Sequence, residues 1–202
     1  MSSSRADPAG PSRRFIVLGH DARTAGDFGL DDLAGATGRL DILLRCVNAA
    51  FMLSHDLRRD TELYLILLGP PRPPRTLRLV GSELRHLNPD ERSTAALLRQ
   101  ALRSPVEGSS GPGIYVASRG LSPLLEAHRD ELVYLQEEGE DIRRATLGMP
   151  ATFLLSDHRD LTHEEEAAVR GCRPRVVRVG PRSLHADHAI VLVHNELDRR
   201  TR

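Results

Sequence analysis

Lysine is absent: all 28 basic residues of the chain are arginine. That excludes a P-loop lysine, a Schiff-base lysine and a kinase-type lysine, each of which needs an ammonium group. Net charge is lacking too, because 28 acidic residues cancel the 28 basic ones. No global field draws the chain to nucleic acid or membrane, so such binding needs a local patch. Cysteine occurs only as Cys46 and Cys172, which cannot build a disulfide framework and fit a reducing cytosol. Tryptophan is missing, and four Phe and three Tyr are too few for single-strand binding on stacked aromatics. No stretch approaches the roughly 20 apolar residues of a membrane helix. From Met1 to Arg13 the chain is rich in Ser, Pro, Gly and Ala without an apolar run, which predicts a disordered tail and no signal peptide. GxGxxG, Walker A, GxSxG and paired CxxC motifs are all missing.

What remains is 202 residues, 40% of them hydrophobic, which suits one soluble domain over residues 14–202. Phe15–Leu18 and Leu63–Leu68 are continuous apolar runs, the mark of strands covered on both faces. Apolar residues from Leu40 to Leu53 recur at helical spacing and predict a helix to about His55. Thr76–Val80 alternates and predicts a half-exposed hairpin or edge strand. Asn88-Pro89 opens a helix to about Arg103, with Pro89 in its first turn. Ser104–Gly113 reads as a flexible separator. Beyond it the pattern predicts strands at 114–117, 132–135, 152–155 and 175–179, and an acidic loop at 136–141. Helices are predicted at 123–129, from Thr162 to about Arg170, and at 186–198. Thr162 with Glu165 has capping-box spacing. Strands separated by such helices imply an α/β fold with a mostly parallel sheet flanked by helices, and ligands then sit beyond the carboxyl ends of strands.

Two constellations could carry chemistry. The first is Gly180-Pro181-Arg182-Ser183-Leu184-His185-Ala186-Asp187-His188, a strand end, a tight turn and a helix start. His185, Asp187 and His188 could hold a metal, although 185 and 187 do not share a helical face. Ser183 and Asp187 could instead be caps and the histidines turn hydrogen-bonders. Alternatively, the Gly-Pro turn exposes main-chain N–H and C=O groups that can cradle the edge of a purine. The second constellation, His55 to Asp60, is either a solvated connector or a site where Arg58 and Arg59 hold phosphate beside the Asp60 carboxylate. His163-Glu164-Glu165-Glu166 is not HExxH, because Ala stands at position 167.

Several motifs resemble the archaeal tRNA pseudouridine-54 N1-methyltransferases. They are Gly38-Arg39-Leu40-Asp41, Cys46 to Ala50, Leu53-Ser54-His55, Arg58-Arg59-Asp60, Leu67 to Pro71 and Leu87 to Ala96. Gly139 to Arg143, Leu184 to His188 and Val193 to Arg199 complete the set. The likeness spans about Arg14 to Arg200. It implies the SPOUT class of fold, a C-terminal deep trefoil knot over about 113–202, a homodimer, S-adenosylmethionine as methyl donor and tRNA as substrate, with no metal and no membrane. It places the donor on Leu135, on Leu155 and Ser156, and on Val179, Gly180, Pro181, Ser183, Leu184, His185 and Ala189. Ser156 and Ala189 stand where the family has Gly and Cys, and a main-chain cradle tolerates such small changes. By the same resemblance Asp60 is the candidate general base and Arg59 its orienting partner, with His188 and Asp187 in reserve. Rival expectations are a non-catalytic RNA- or nucleotide-binding module of the same fold, a methyltransferase for another RNA site, and a metal-dependent hydrolase on His185, Asp187 and His188.

Overall fold

The computed structural model describes residues 11–35, 37–104 and 107–200. Its frame is one eight-stranded sheet: β1 (Arg13–Gly19), β2 (Thr61–Leu67), β3 (Arg75–Val80), β4 (Gly108–Gly111), β5 (Ile114–Ala117), β6 (Leu132–Asp141), β7 (Ala151–Ser156) and β8 (Arg175–Arg178). The strand order is β4-β5-β3-β2-β1-β7-β6-β8. The five strands from β2 to β8 in that order are parallel, and β3, β5 and β4 extend the sheet antiparallel. Helices α1 (Leu40–Phe51), α2 (Glu91–Arg103), α3 (Leu121–Ala127), α4 (His163–Gly171) and α5 (Ala186–Arg200) cover it.

Alternation along the central strands explains the unbroken apolar runs. Phe15 and Val17 face a core shared with α1, α2 and α5, while Ile16 and Leu18 face a second core under α3 and α4. Phe15 stacks on Phe153 at 5.5 Å between centroids, in the contact range of a favourable aromatic pair. Among the described residues no helix is long and apolar enough to cross a membrane.

The structure departs from the sequence expectations at several places. The domain starts before Arg14: Arg13 opens β1, and Ser12 N–H donates to the Asp60 carbonyl at 2.9 Å; residues 1–10, where the tail was expected, lie outside the described residues. Helix α1 stops at Phe51 because Met52 turns extended and bridges Leu57. β3 is an inner strand paired on both sides, so it is no edge. Helix α2 starts at Glu91 with Asp90 as the N-cap, its carboxylate accepting Ser93 N–H at 2.8 Å, so Pro89 lies outside the helix. Part of the supposed separator, 108–111, is the edge strand β4. The segment 136–141 is the continuation of β6 and no free loop. Val177 of β8 is in register with both Leu135 and Glu140, and Ile142 N–H donates to the Arg178 carbonyl at 2.9 Å. The capping box of Thr162 and Glu165 forms as expected.

Helix α5 is tied to the first strand by a buried histidine. His194 Nε2 lies 3.1 Å from the Ala50 carbonyl, which can only accept, so Nε2 carries the proton and Nδ1 accepts from Arg13 Nη1 at 3.2 Å. Burial, with Arg58 and Arg13 nearby, lowers its pKa from 6.5 to about 3. The unfolded chain therefore takes a proton at His194 below pH 6.5 that the folded chain refuses until about pH 3. Stability is lost as pH falls through that window, by about 1.4 kcal/mol per pH unit. Urea unfolding at about pH 5 should thus show ~2 kcal/mol less stability than at about pH 6.5, and His194→Gln should flatten that limb. An equally steep limb in the variant would assign the loss to other groups.

Candidate functional site

The carboxyl ends of β7 and β6 and the turn after β8 surround a cavity of about 390 Å³, within the size range of small-molecule sites. Three chain stretches wall it: 134–137, 155–161 and 178–189. Leu135, Leu155, Ser156, Val179, Gly180, Ser183, Leu184, His185 and Ala189 all line it, and of the expected donor residues only Pro181 does not. The strand-end position follows from the parallel register, which aligns Leu18 with Ser156 and Tyr134 with Leu154.

The walls are fixed by short polar ties. Ser183 Oγ donates to Glu137 Oε1 at 2.6 Å, joining the first wall to the third. Ser156 Oγ donates to the Arg159 carbonyl, so the hydroxyl in place of the family's Gly is used inside its own turn. Burial, followed by the hydrogen bond to Glu166, pushes the Tyr134 phenol well up, so it stays protonated and is no base. Burial likewise raises the Cys46 thiol, leaving it an inert core group. Sequence reasoning did not reach the lining residues Arg159, Asp160, Leu161 and Arg178, and it assigned no role to His20, whose ring grips the middle wall. Nothing in the local sequence around His20 marks this, because its partner Asp157 is 137 residues away.

The metal constellation does not converge. His185 and His188 rings lie 6.0 Å apart edge-on, and Asp187 faces Arg45 at 3.9 Å and His188 at 3.7 Å. Among the described residues no three His, Cys, Asp or Glu side chains are grouped to hold a metal ion.

Asp60 and Arg59 lie elsewhere. Asp60 precedes β2 at the amino end of the sheet, where Thr61 is level with Arg13. From Asp60 to the level of Ser156, which is that of Ile66, the register covers six residue steps, about 20 Å at ~3.3 Å per residue. Asp60 accepts from Ser12 Oγ at 2.6 Å and pairs with Arg13 Nε at 3.1 Å. Arg59 donates to the Leu84 carbonyl at 2.9 Å and pairs with Asp56 at 2.9 Å. A second, larger cavity opens beside Arg14, His128 and Met149. At its centre Glu131 is already paired, accepting from Arg14 at 2.7 Å and from His128 at 2.7 Å.

The first cavity suits S-adenosylmethionine. Its walls offer main chain from three turns, apolar contact from Leu135, Leu155 and Ala189, and carboxylates from Glu137 and Asp160 toward a cationic centre. A Cβ placed on Gly180 would meet no protein atom within 4 Å, so the space beside that turn is open.

Known proteins share this chain's sequence and fold. A family model for SAM-dependent RNA methyltransferases matches residues 12–202. The tRNA (pseudouridine(54)-N(1))-methyltransferase of Methanocella arvoryzae is 51% identical over 192 residues, covering 93% of this chain and 100% of that protein. The enzyme of the same name from Haloferax volcanii is 47% identical over 194 residues, covering 92% and 96%. Among solved structures, Archaeoglobus fulgidus Nep1 bound to S-adenosylhomocysteine superimposes with a TM-score of 0.61 at 14% identity, covering 95% of this chain and all of that one. That degree of likeness speaks for the fold.

Proposed function

The chain belongs to this family of SAM-dependent RNA methyltransferases, and on that premise we propose that it methylates N1 of pseudouridine at position 54 of tRNA. The observation that carries the reading is the three-turn cavity at the carboxyl ends of the strands, lined by nearly all the residues expected to hold the donor. When bound there, S-adenosylmethionine supplies a methyl group on a sulfonium, ready for a nitrogen nucleophile. In pseudouridine the ribose is joined through carbon, which leaves N1 as a free N–H; uridine has no such atom to offer. Arg178 and Arg182, exposed on the cavity rim, can take backbone phosphates.

Asp60 is proposed as the base that accepts the N1 proton and Arg59 as the group that orients it. The Asp60 carboxylate, about 20 Å from the cavity of its own chain, serves the cavity of a second copy. A homodimer supplies that arrangement. Helix α5 begins at the cavity with Ala186 and ends where Asp198 grips Arg58 at 2.7 Å. Along it Val191 (51% exposed) and Leu192 (37% exposed), with Leu184 (41%) just before, form an apolar stripe open to a partner. With the two-fold axis perpendicular to α5, its two copies run antiparallel, which sets the cavity end of one chain beside the Arg58–Asp60 end of the other. The SPOUT-class trefoil knot over the donor part belongs to the same proposal, on the family membership and the fold shared with Nep1. The unit is one domain over residues 12–202, where 14 was the expected start, with the donor part from about 113, working in the cytosol where its tRNA is.

The test is methyl transfer in vitro with two tRNA transcripts, one carrying pseudouridine at position 54 and one carrying uridine. Digestion and mass spectrometry should find N1-methylpseudouridine at position 54 in the first and no product in the second. Donor binding without transfer to the first would leave a binding module of the same fold, and product at another position would redirect the specificity.

A further inference from the structure

His20 directly follows β1 and does not itself line the cavity, yet it grips the wall that does. Its ring is only 8% exposed and lies between carboxylates from two elements. Nδ1 is 3.2 Å from Asp157 Oδ1 and Nε2 is 3.0 Å from Glu165 Oε2, while the His20 backbone N–H donates to Asp157 Oδ2 at 2.9 Å. A neutral imidazole has one N–H and one lone pair, so one of these carboxylates would face a lone pair at hydrogen-bond distance. The imidazolium has two donors and satisfies both.

Each carboxylate is itself anchored. Asp157, whose side chain is 1% exposed, accepts Arg159 N–H at 3.0 Å, and its own N–H donates to the Leu18 carbonyl at 2.9 Å. Glu165 accepts Thr162 N–H at 2.8 Å in the capping box of α4. The ring thus joins three elements: the end of β1, the turn after β7 and the first turn of α4.

We infer that His20 is a positioning residue for the methyl donor, its imidazolium fixing the 155–161 wall of the cavity through Asp157 and bracing it against Glu165. This rests on the donor site proposed above. Hydrogen bonding to Asp157, opposed by burial and reinforced by Glu165, raises the His20 pKa from 6.5 to about 9. Burial alone would raise the Asp157 and Glu165 carboxyls, but the hydrogen bonds from His20 and from backbone N–H groups leave both below the usual carboxylate range. The other titratable or charged groups around the clamp are His158, 3.4 Å from Asp157 and 3.5 Å from Asp21, Arg159, 3.0 Å from Asp21, and Arg39, which acts on Asp157 at longer range. With His20 charged below about pH 9, the clamp is closed at neutral pH and opens as pH rises through that value.

The experiment is calorimetric titration of the full-length protein with S-adenosylhomocysteine, for wild type, His20→Gln and Glu165→Gln, across a range of pH. His20→Gln should weaken binding about tenfold near neutral pH. The ratio of variant to wild-type Kd should then fall toward one above about pH 9, where the wild-type ring is neutral as well. In steady-state assays the KM for the donor should rise while the KM for tRNA stays within about twofold. A purely structural histidine would lower the unfolding midpoint and leave the Kd of the folded variant and its pH profile unchanged; that result overturns the inference. Should His20→Gln fail to fold, Glu165→Gln decides: about threefold weaker binding with the same pH dependence supports the clamp, and unchanged binding overturns it. Failure of the wild type to bind S-adenosylhomocysteine would overturn the donor site and this inference with it. Binding by the wild type with no change in either variant overturns the inference alone.

Discussion

Replacing Asp60 by Asn should lower methyl-transfer turnover by about 10²–10⁴-fold, the usual contribution of a general base, while donor and tRNA affinities stay within a few fold. The N1–H nitrogen becomes a good nucleophile only as its proton leaves. A carboxylate can accept that proton and an amide cannot. Asn keeps the shape of Asp and can still accept the 2.6 Å hydrogen bond from Ser12; Arg13 loses its charged partner at 3.1 Å but keeps Asp198 at 2.8 Å, so the proton step is the main loss. Unchanged turnover would remove Asp60 from the mechanism. Its place at the amino end of the sheet makes a sharper test possible. Gly180→Leu fills the open space beside the donor turn and should abolish donor binding. Co-expressed in equal amounts with Asp60→Asn, it should give mixed dimers in which one of two sites pairs an intact cavity with an intact Asp60. Random pairing restores about a quarter of wild-type activity. If Asp60 acted on the cavity of its own chain, every site in the mixture would be dead.

The second large effect is expected at Gly139. This buried glycine sits where the bend of β6 passes β8. A Cβ there would lie 2.5 Å from the carbonyl carbon of Val177 and 2.6 Å from its Cα and N. Those are main-chain atoms of a paired strand, and neither side can yield without breaking the ladder. Gly139→Ala should cost about 3 kcal/mol, at the upper end for a forced methyl group. Because β8 leads directly into the 178–189 wall, donor binding should fall with it. Gly148→Ala is the matched control, since a Cβ at Gly148 meets nothing within 4 Å. Urea unfolding and donor titration of the two variants check the expectation, and equal midpoints would contradict it.

Most elements were legible in the sequence because both faces of the central strands are buried, which writes continuous apolar runs at 15–18 and 63–68. The capping box at Thr162 and the Gly-Pro turn were legible for the same kind of reason: each is a local pattern with a local cause. β4 was not, because Gly-Ser-Ser-Gly pairs through main chain and carries no side-chain periodicity. The continuation of β6 read as a loop because Glu137 and Glu138 are exposed, so its pairing with β8 leaves no apolar trace. The donor-site residues came from the family resemblance together with the turn at Gly180, and only Pro181 misses the cavity. Two things could not be read. The distance from Asp60 to that cavity depends on strand register. The clamp at His20 joins residues more than a hundred positions apart, with Glu165 already explained as a cap.

β8 and α5 follow β1, β2 and β7 in sequence, yet they build the third wall of the cavity, and Asp198, near the end of α5, grips Arg13 at 2.8 Å and Arg58 at 2.7 Å. A nascent chain emerging from the ribosome therefore exposes β1, β2 and β7 long before anything can bind between them. The cofactor pocket comes into being only when α5 has emerged and docked, so a polypeptide cut short by one or two turns within that helix should lose its hold on the donor.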